Sequence, residues 1–158
     1  MRSVSKDELA EILKKHEMWI NEEVGGIRAD LYRTDLRGAD LSGAKNIYFP
    51  ITCPEKGLFI AFKKASGYIV ELEIPADALR SSSTTRKCRC SKAKVISITN
   101  LDGTPSDVKS VASGYDSKFI YTIGETVEVP NFDTNRWNEC APGIHFFITR
   151  QEAVDFGP

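Results

Sequence analysis

The chain lacks two features that would assign it a class at once: a long apolar run and an excess of charge of one sign. No apolar stretch approaches the length of a membrane span, and the first residues have the character of a polar helix rather than a signal peptide. The formal net charge is −1 over 158 residues, which gives no general attraction to nucleic acid or to an anionic membrane. These absences predict a cytoplasmic protein with no membrane partner.

Residues that commonly bind metals are also few, with two histidines and four cysteines in the chain. Because no secretory signal is predicted, Cys53, Cys88, Cys90 and Cys140 are expected to be reduced. The Cys-X-Cys pair at 88–90 does not have the usual zinc-knuckle spacing, so a Cys₃His site with Cys140 and His145 is disfavoured. A Cys140–His145 catalytic pair also lacks any surrounding signature. We therefore predict no metal, no cofactor and no catalytic residue.

A five-residue repeat is present at residues 29–44. Leucine recurs at Leu31, Leu36 and Leu41, and a small residue lies two places before each leucine (Ala29, Thr34 and Ala39). Neither the helix period nor the strand period produces a spacing of five. The segment resembles the pentapeptide-repeat family, in which such units stack into a right-handed square β-helix with the leucine and the small residue inward. Four units make one coil in that family, so residues 27–46 supply about one coil, too short to imitate DNA as its long acidic members do.

The flanking sequence predicts an α+β fold. A capping box at Ser5–Glu8 opens an amphipathic helix that Gly25–Gly26 would stop. Further along, strands are predicted at 57–64, 68–74, 88–99, 119–123, 126–129 and 143–148. A hairpin turn is predicted at Ala65-Ser66-Gly67 between the first two of these strands, and a loop or short helix at 101–114. A second capping box at Thr149–Glu152 opens a last helix. The expected domains are an N-terminal helix (1–26), about one coil of β-helix (27–46), and a mostly antiparallel β-rich domain with a short C-terminal helix (47–158).

The rest of the chain carries a wider resemblance. The stretches Arg80–Cys90 and Arg136–Phe147, together with the helix and the repeat, are similar to small pentapeptide-repeat proteins of bacteriophages and prophages. In those proteins an uncharacterised domain follows the repeat. The resemblance implies this architecture and a location in the host cytoplasm, and it implies no established activity.

Residues 80–92 concentrate positive charge in an otherwise neutral chain. Arg80, Arg86, Lys87, Arg89 and Lys92 lie there among serines and threonines. Guanidinium and hydroxyl groups are typical of phosphate binding. No glycine-rich turn leads into a helix, so neither a Walker loop nor a dinucleotide fingerprint is present. The alternative is a solvated, flexible loop that leads into a strand.

From these features we predict a phage-type, non-enzymatic binding or sequestering protein that antagonises a host defence. Its ligand would be an anionic nucleotide, or its target a host protein. The predicted ligand-binding residues are Arg80, Ser82, Thr85, Arg86, Lys87, Arg89, Arg136 and His145. One alternative is a nucleotide-processing transferase or hydrolase that uses Arg80, Ser82, Glu139 and His145; another is a virion or assembly component. No motif for sequence-specific nucleic-acid binding is present, and an open repeat edge would allow a homodimer.

Overall fold

The computed structural model describes residues 2–31, 34–35 and 50–157 of the chain. The chain divides into two compact units, residues 1–49 and 50–158. Most of the predicted β-helix coil, namely residues 32–33 and 36–46, lies outside the described residues. In the described ranges no helix is long and apolar enough to cross a membrane.

The first unit begins with the predicted helix, α1 (Lys6–Ile20), which follows the two-residue strand β1 (Arg2–Ser3). The capping box is confirmed: the Ser5 hydroxyl accepts the Glu8 N–H at 3.2 Å, and the Glu8 carboxylate accepts the Ser5 N–H at 2.9 Å. These two bonds satisfy N–H groups that the first helical turn leaves without partners.

The helix ends at Ile20, ahead of the predicted stop at Gly25–Gly26. Glu22 adopts the left-handed conformation (φ 58°), and the Glu23 N–H donates to the Met18 carbonyl at 2.8 Å, which closes the last turn. Gly26 has a different role from the predicted one. A Cβ at this position would lie 2.4 Å from the Trp19 nitrogen, so the chain can fold back along the helix only because residue 26 has no side chain.

A second short strand, β2 (Thr34–Asp35), pairs in parallel with β1. The second unit contains nine strands among its described residues and ends in a helix. In chain order these are β3 (Phe59–Ala65), β4 (Tyr68–Ile74), β5 (Arg80–Ser82), β6 (Cys88–Cys90), β7 (Lys92–Asn100), β8 (Ser110–Ala112), β9 (Ile120–Thr122), β10 (Thr126–Glu128), β11 (Ile144–Phe146) and α2 (Arg150–Asp155).

The strands of this unit form three antiparallel sheets with the orders β10-β7-β4-β3, β11-β6-β5 and β8-β9. The β3–β4 hairpin turns at Ser66–Gly67, as predicted, with φ of 47° and 81°. Positive φ at both central residues gives a turn whose twist matches the strands. The β-rich domain is therefore α+β and mostly antiparallel, as expected.

One contiguous apolar core joins the four-stranded and three-stranded sheets. Its buried members include Val70, Leu72 and Ile74 of β4 and Ile144 and Phe146 of β11. A smaller cluster forms where α2 packs, with Ile69, Phe147 and Ala153 buried. The Thr149–Glu152 capping box that starts α2 is confirmed, with the Thr149 N–H 3.1 Å from the Glu152 carboxylate.

Two predictions for this unit hold only in part. The loop or short helix expected at 101–114 is largely irregular up to residue 109, but Ser110–Ala112 forms β8, because it pairs with β9 and buries Val111. The solvated loop considered for residues 80–92 is confined to a bend at 83–87 between β5 and β6, and Ser81, Ser82, Ser83 and Thr84 are all buried.

The core makes a direct prediction for stability. Leu72 is 0% exposed, whereas Leu79 is 54% exposed. Leu72→Ala should lower the free energy of unfolding by about 2–5 kcal/mol because it leaves a cavity, and Leu79→Ala should change it by less than about 1 kcal/mol. Urea unfolding of both variants measures the difference. Equal losses would contradict this location of the core.

Candidate functional site

The three-stranded sheet carries four of the eight predicted ligand-binding residues, and its register divides them between two faces. Cross-strand partners lie on the same face of a sheet. Arg89 of β6 pairs with Ser81 of β5 and with His145 of β11, so these three share one face. Arg80 and Ser82 alternate with Ser81 and therefore lie on the other face, which the core covers. The residues that were expected to form one site do not converge.

Arg80 is used inside the fold, as a clamp on neighbouring turns. Its guanidinium donates to the carbonyls of Pro54, Gly57, Pro75, Ala76 and Ala78, at 2.8–3.3 Å. It also lies 5.1 Å from the centre of the Phe59 ring. This side chain therefore holds the turns before β3 and after β4 together.

Ser82 and Arg136 fasten the chain at residues 50–52. The Ser82 hydroxyl accepts the Thr52 N–H at 2.7 Å, and Arg136 Nε donates to the Ser82 carbonyl at 3.0 Å. The Arg136 guanidinium also stacks 4.9 Å from the Trp137 ring centre. The two residues are thus brought together as predicted, but in a structural contact.

Arg89 is the most deeply buried charged residue among those that the structure describes, with 2% of its surface exposed. Its guanidinium donates to the carbonyls of Asp133, Asn135 and Pro142, each at 3.0 Å, and lies 5.2 Å from the Phe132 ring centre. Burial lowers the pKa of Arg89, and the Asp133 charge acts in the opposite direction. We call residues 132–143 the strap, because Arg89 fastens this segment over its face of the sheet.

A second set of contacts holds the middle of the strap. The Thr85 hydroxyl is hydrogen-bonded to the Glu139 carboxylate. The Lys87 ammonium lies 3.7 Å from the other Glu139 oxygen and 3.4 Å from the Cys140 sulfur. Arg86 points elsewhere, to an exposed ion pair with Glu152. Thr85 and Lys87 therefore meet at Glu139, and Arg86 does not join them.

His145 lies beside this group. Its Nε2 is 3.0 Å from the Glu139 carbonyl, which can only accept, so Nε2 carries the proton. The pKa of His145 is lowered to about 4. Burial is the largest cause, the charges of Lys63, Lys87 and Arg89 act in the same direction, and the hydrogen bond to Glu139 acts in the opposite direction. The ring is therefore neutral at physiological pH.

Lys63 of β3 completes the arrangement, and sequence analysis did not identify it. Its ammonium donates to the His145 carbonyl at 3.2 Å and lies 5.8 Å from the centre of the Tyr121 ring. Burial is the main reason that its pKa falls to about 8. The pair Lys63–Lys64 in an apolar strand was an available signal, because successive residues face opposite sides and one lysine must point inward. We call Lys63, Lys87, Arg89 and His145 the cationic cluster.

The zinc and catalytic alternatives are not assembled among the described residues. No three histidine, cysteine or acidic side chains lie close enough there to hold a metal ion. Cys88 and Cys90 are buried in the core, whereas His145 is on the opposite face of the sheet. The His145 ring is hydrogen-bonded to the Glu139 carbonyl, and the Cys140 sulfur lies 3.4 Å from the Lys87 ammonium.

Comparison with known proteins gives a family without a function. Residues 49–153 match a family of unknown function (DUF5758). No curated protein matches the chain, and no solved structure does. The match covers the β-rich domain and contains the strap and the whole cationic cluster.

The burial of the Arg89 guanidinium predicts that replacing Arg89 lowers the free energy of unfolding much more than replacing Arg86 does. Arg89→Met should reduce the free energy of unfolding by about 3 kcal/mol, because three carbonyls lose a charged donor in a buried setting. Arg86→Met, which removes an exposed ion pair, should cost less than about 1 kcal/mol. Chemical denaturation measures both values, and similar losses would contradict the role of Arg89.

The low pKa of His145 predicts a pH dependence. The unfolded chain takes up a proton near pH 6.5 and the folded chain only near pH 4, so this histidine's contribution to stability falls as the pH drops from about 6.5 to about 4. His145→Gln, which retains a donor for the Glu139 carbonyl, should lose about 1–2 kcal/mol less stability than the wild type between pH 7 and 4.5. Urea unfolding at both pH values tests this, and identical pH profiles would contradict it.

Proposed function

The chain belongs to the DUF5758 family, and we propose that it is a non-enzymatic binding protein that captures an anionic small molecule, a nucleotide being the favoured class, at the cationic cluster. The proposal narrows the predicted ligand site from eight residues to the face that carries Lys87, Arg89 and His145, with Lys63 added. Arg80, Ser82 and Arg136 act as its structural support.

The observation that carries the proposal is the grouping of Lys63, Lys87 and His145: the Lys63 ammonium donates to the His145 carbonyl at 3.2 Å, and both Lys87 and His145 contact Glu139. The pKa of Lys63 is lowered to about 8 and that of His145 to about 4. Burial is the largest cause of both shifts, and the charge of Lys87 contributes to each. A negative charge placed among them would raise both pKa values, and that gain is binding free energy for an anion. Phosphate groups also match the ammonium donors of Lys63 and Lys87.

Lys87 gives the cluster its access to solvent. Its side chain is 14% exposed, and Glu139 and the exposed Cys140 lie beside it. The Glu139 carboxylate lies 3.7 Å from the Lys87 ammonium and forms an ion pair with it. An incoming phosphate would compete with this carboxylate for Lys87, so Glu139 lowers the affinity for phosphate.

The division of the sheet into two faces favours binding over catalysis. The enzyme alternative needs Arg80 and Ser82 to act with His145 and Glu139. The register puts Arg80 and Ser82 on the core face, and the Ser82 hydroxyl already accepts the Thr52 N–H. A nucleophile and a base taken from these residues would lie on opposite faces of the sheet and would not reach each other.

The finer biological role rests on the resemblance to phage and prophage pentapeptide-repeat proteins, and we propose it on that basis. Two observations support a repeat coil. Residues Thr34–Asp35 pair in parallel with β1, as strands of successive β-helix coils do. The Thr34 hydroxyl is also buried without a hydrogen-bond partner among the described residues, as expected of the inward small position. Capture of a host signalling nucleotide would antagonise a host defence.

Calorimetry with ATP, a cyclic dinucleotide and inorganic phosphate tests the ligand. We expect saturable binding accompanied by proton uptake at pH 6–7, because the pKa of His145 rises when an anion binds. Lys87→Met should weaken binding at least about 10-fold, and Glu139→Gln should strengthen it. Lys94→Met, which removes an exposed lysine of β7, is the matched control and should have no effect.

Three outcomes would contradict the proposal in different ways. Conversion of a labelled nucleotide to product would support the transferase or hydrolase alternative instead. No heat with any of the three anions would end the small-molecule version, and direct binding to a purified host protein would then replace it. Binding that Lys87→Met and Lys94→Met weaken equally would place the ligand outside the cationic cluster.

A further inference from the structure

Two buried cysteines from distant parts of the sequence belong to the same buried cluster. Cys53 is 3% exposed and Cys88 is 0% exposed, and the two thiols are close enough for each to shift the pKa of the other. The backbone independently brings them together. The Thr52 N–H donates to the Ser82 hydroxyl at 2.7 Å, and Ser82 is the cross-strand partner of Cys88 on the same face of the sheet. The residue that follows Thr52 is therefore held against β6.

We propose that Cys53 and Cys88 form a reversible intramolecular disulfide when the protein meets a thiol oxidant of the glutathione disulfide class. The bond would attach the segment before β3 covalently to the centre of the three-stranded sheet. This inference is independent of the proposed ligand, because both sulfurs lie on the face opposite the cationic cluster.

The exchange proceeds in two balanced steps. The Cys53 thiolate attacks one sulfur of glutathione disulfide, which forms a mixed disulfide and releases one glutathione thiolate. The Cys88 thiol gives up its proton and attacks the Cys53 sulfur, which releases the second glutathione. Two protein thiols are oxidised and one disulfide is reduced to two thiols. A dithiol reductant reverses both steps.

The surroundings assign the first step to Cys53. The hydrogen bond from Cys88 is the largest cause that lowers the pKa of the Cys53 thiol, and the charges of Arg80 and Arg136 act in the same direction. The pKa of Cys88 is raised, first by its bond to Cys53 and then by burial. The thiolate is the attacking species in disulfide exchange, so Cys53 reacts first and Cys88 resolves.

Neither of the other cysteines is as well placed. Cys90 points into the core, with its sulfur 3.8 Å from the Ile144 carbonyl, and burial raises its pKa to about 12. Cys140 is exposed and lies beside Lys87. Cys53 in turn precedes an exposed turn at residues 54–58, and local opening of that turn would admit the oxidant.

Thiol counting on the full-length protein tests the proposal. The reduced protein should take up four equivalents of N-ethylmaleimide under denaturing conditions, one for each cysteine. After incubation with glutathione disulfide and removal of the excess, about two equivalents should remain by the loop-closing mechanism, with a peptide pair linking Cys53 to Cys88. The oxidised protein should unfold at a midpoint about 5 °C higher or more, because the disulfide restricts the unfolded chain.

Variants make the assignment specific. Cys53→Ser should abolish the linked peptide pair, whereas Cys140→Ser, the matched control, should retain it. Because Cys53 is buried, the fold of its variant should first be checked by circular dichroism before oxidation. The proposal is overturned if wild-type Cys53 and Cys88 are both still alkylated after oxidation, or if the linked pair contains Cys90 or Cys140.

Discussion

The burial of Arg89 is the constraint from which the rest of the β-rich domain follows. Removing a guanidinium from water costs several kcal/mol, and this cost is offset only when the donors find acceptors. Arg89 finds them in the carbonyls of residues 133, 135 and 142. The strap must therefore cross this face of the three-stranded sheet, and in crossing it brings Glu139 to Thr85, Lys87 and His145.

The basic segment at residues 80–92 contains cations with two different roles, which its composition alone does not distinguish. Arg80 and Arg89 donate to backbone carbonyls and hold turns and the strap in place. Lys87 faces the same side as Arg89 but ends near the surface, where a carboxylate, a thiol and the charge of buried Lys63 surround it. The arginines form the framework of the site, and Lys63 and Lys87 give it a positive potential that the Glu139 carboxylate offsets in part.

Sequence patterns predicted the features that local signals determine. Both capping boxes and the Ser66–Gly67 turn involve residues within four positions of each other, so their chemistry can be read directly. The environment of Arg89 could not be predicted, because its acceptors lie 44 to 53 residues away. For the same reason the hydroxyl-rich stretch resembled a solvated loop: nothing local indicates that the Ser82 hydroxyl meets the Thr52 backbone. The division of Arg80 and Arg89 between two faces depends on the register of β5 against β6, which pairs Arg80 with Cys90, and their sequence spacing alone does not give it.

The most direct test of the account is amide chemical-shift mapping of the full chain as inorganic phosphate or ATP is added. The account predicts that the shifts centre on residues 63, 87, 139–140 and 145, together with movement of the His145 ring signals toward the protonated form. Shifts centred on Arg80, Ser82 and Arg136, or no saturable shifts at all, would contradict the claim that the cationic cluster is the binding site.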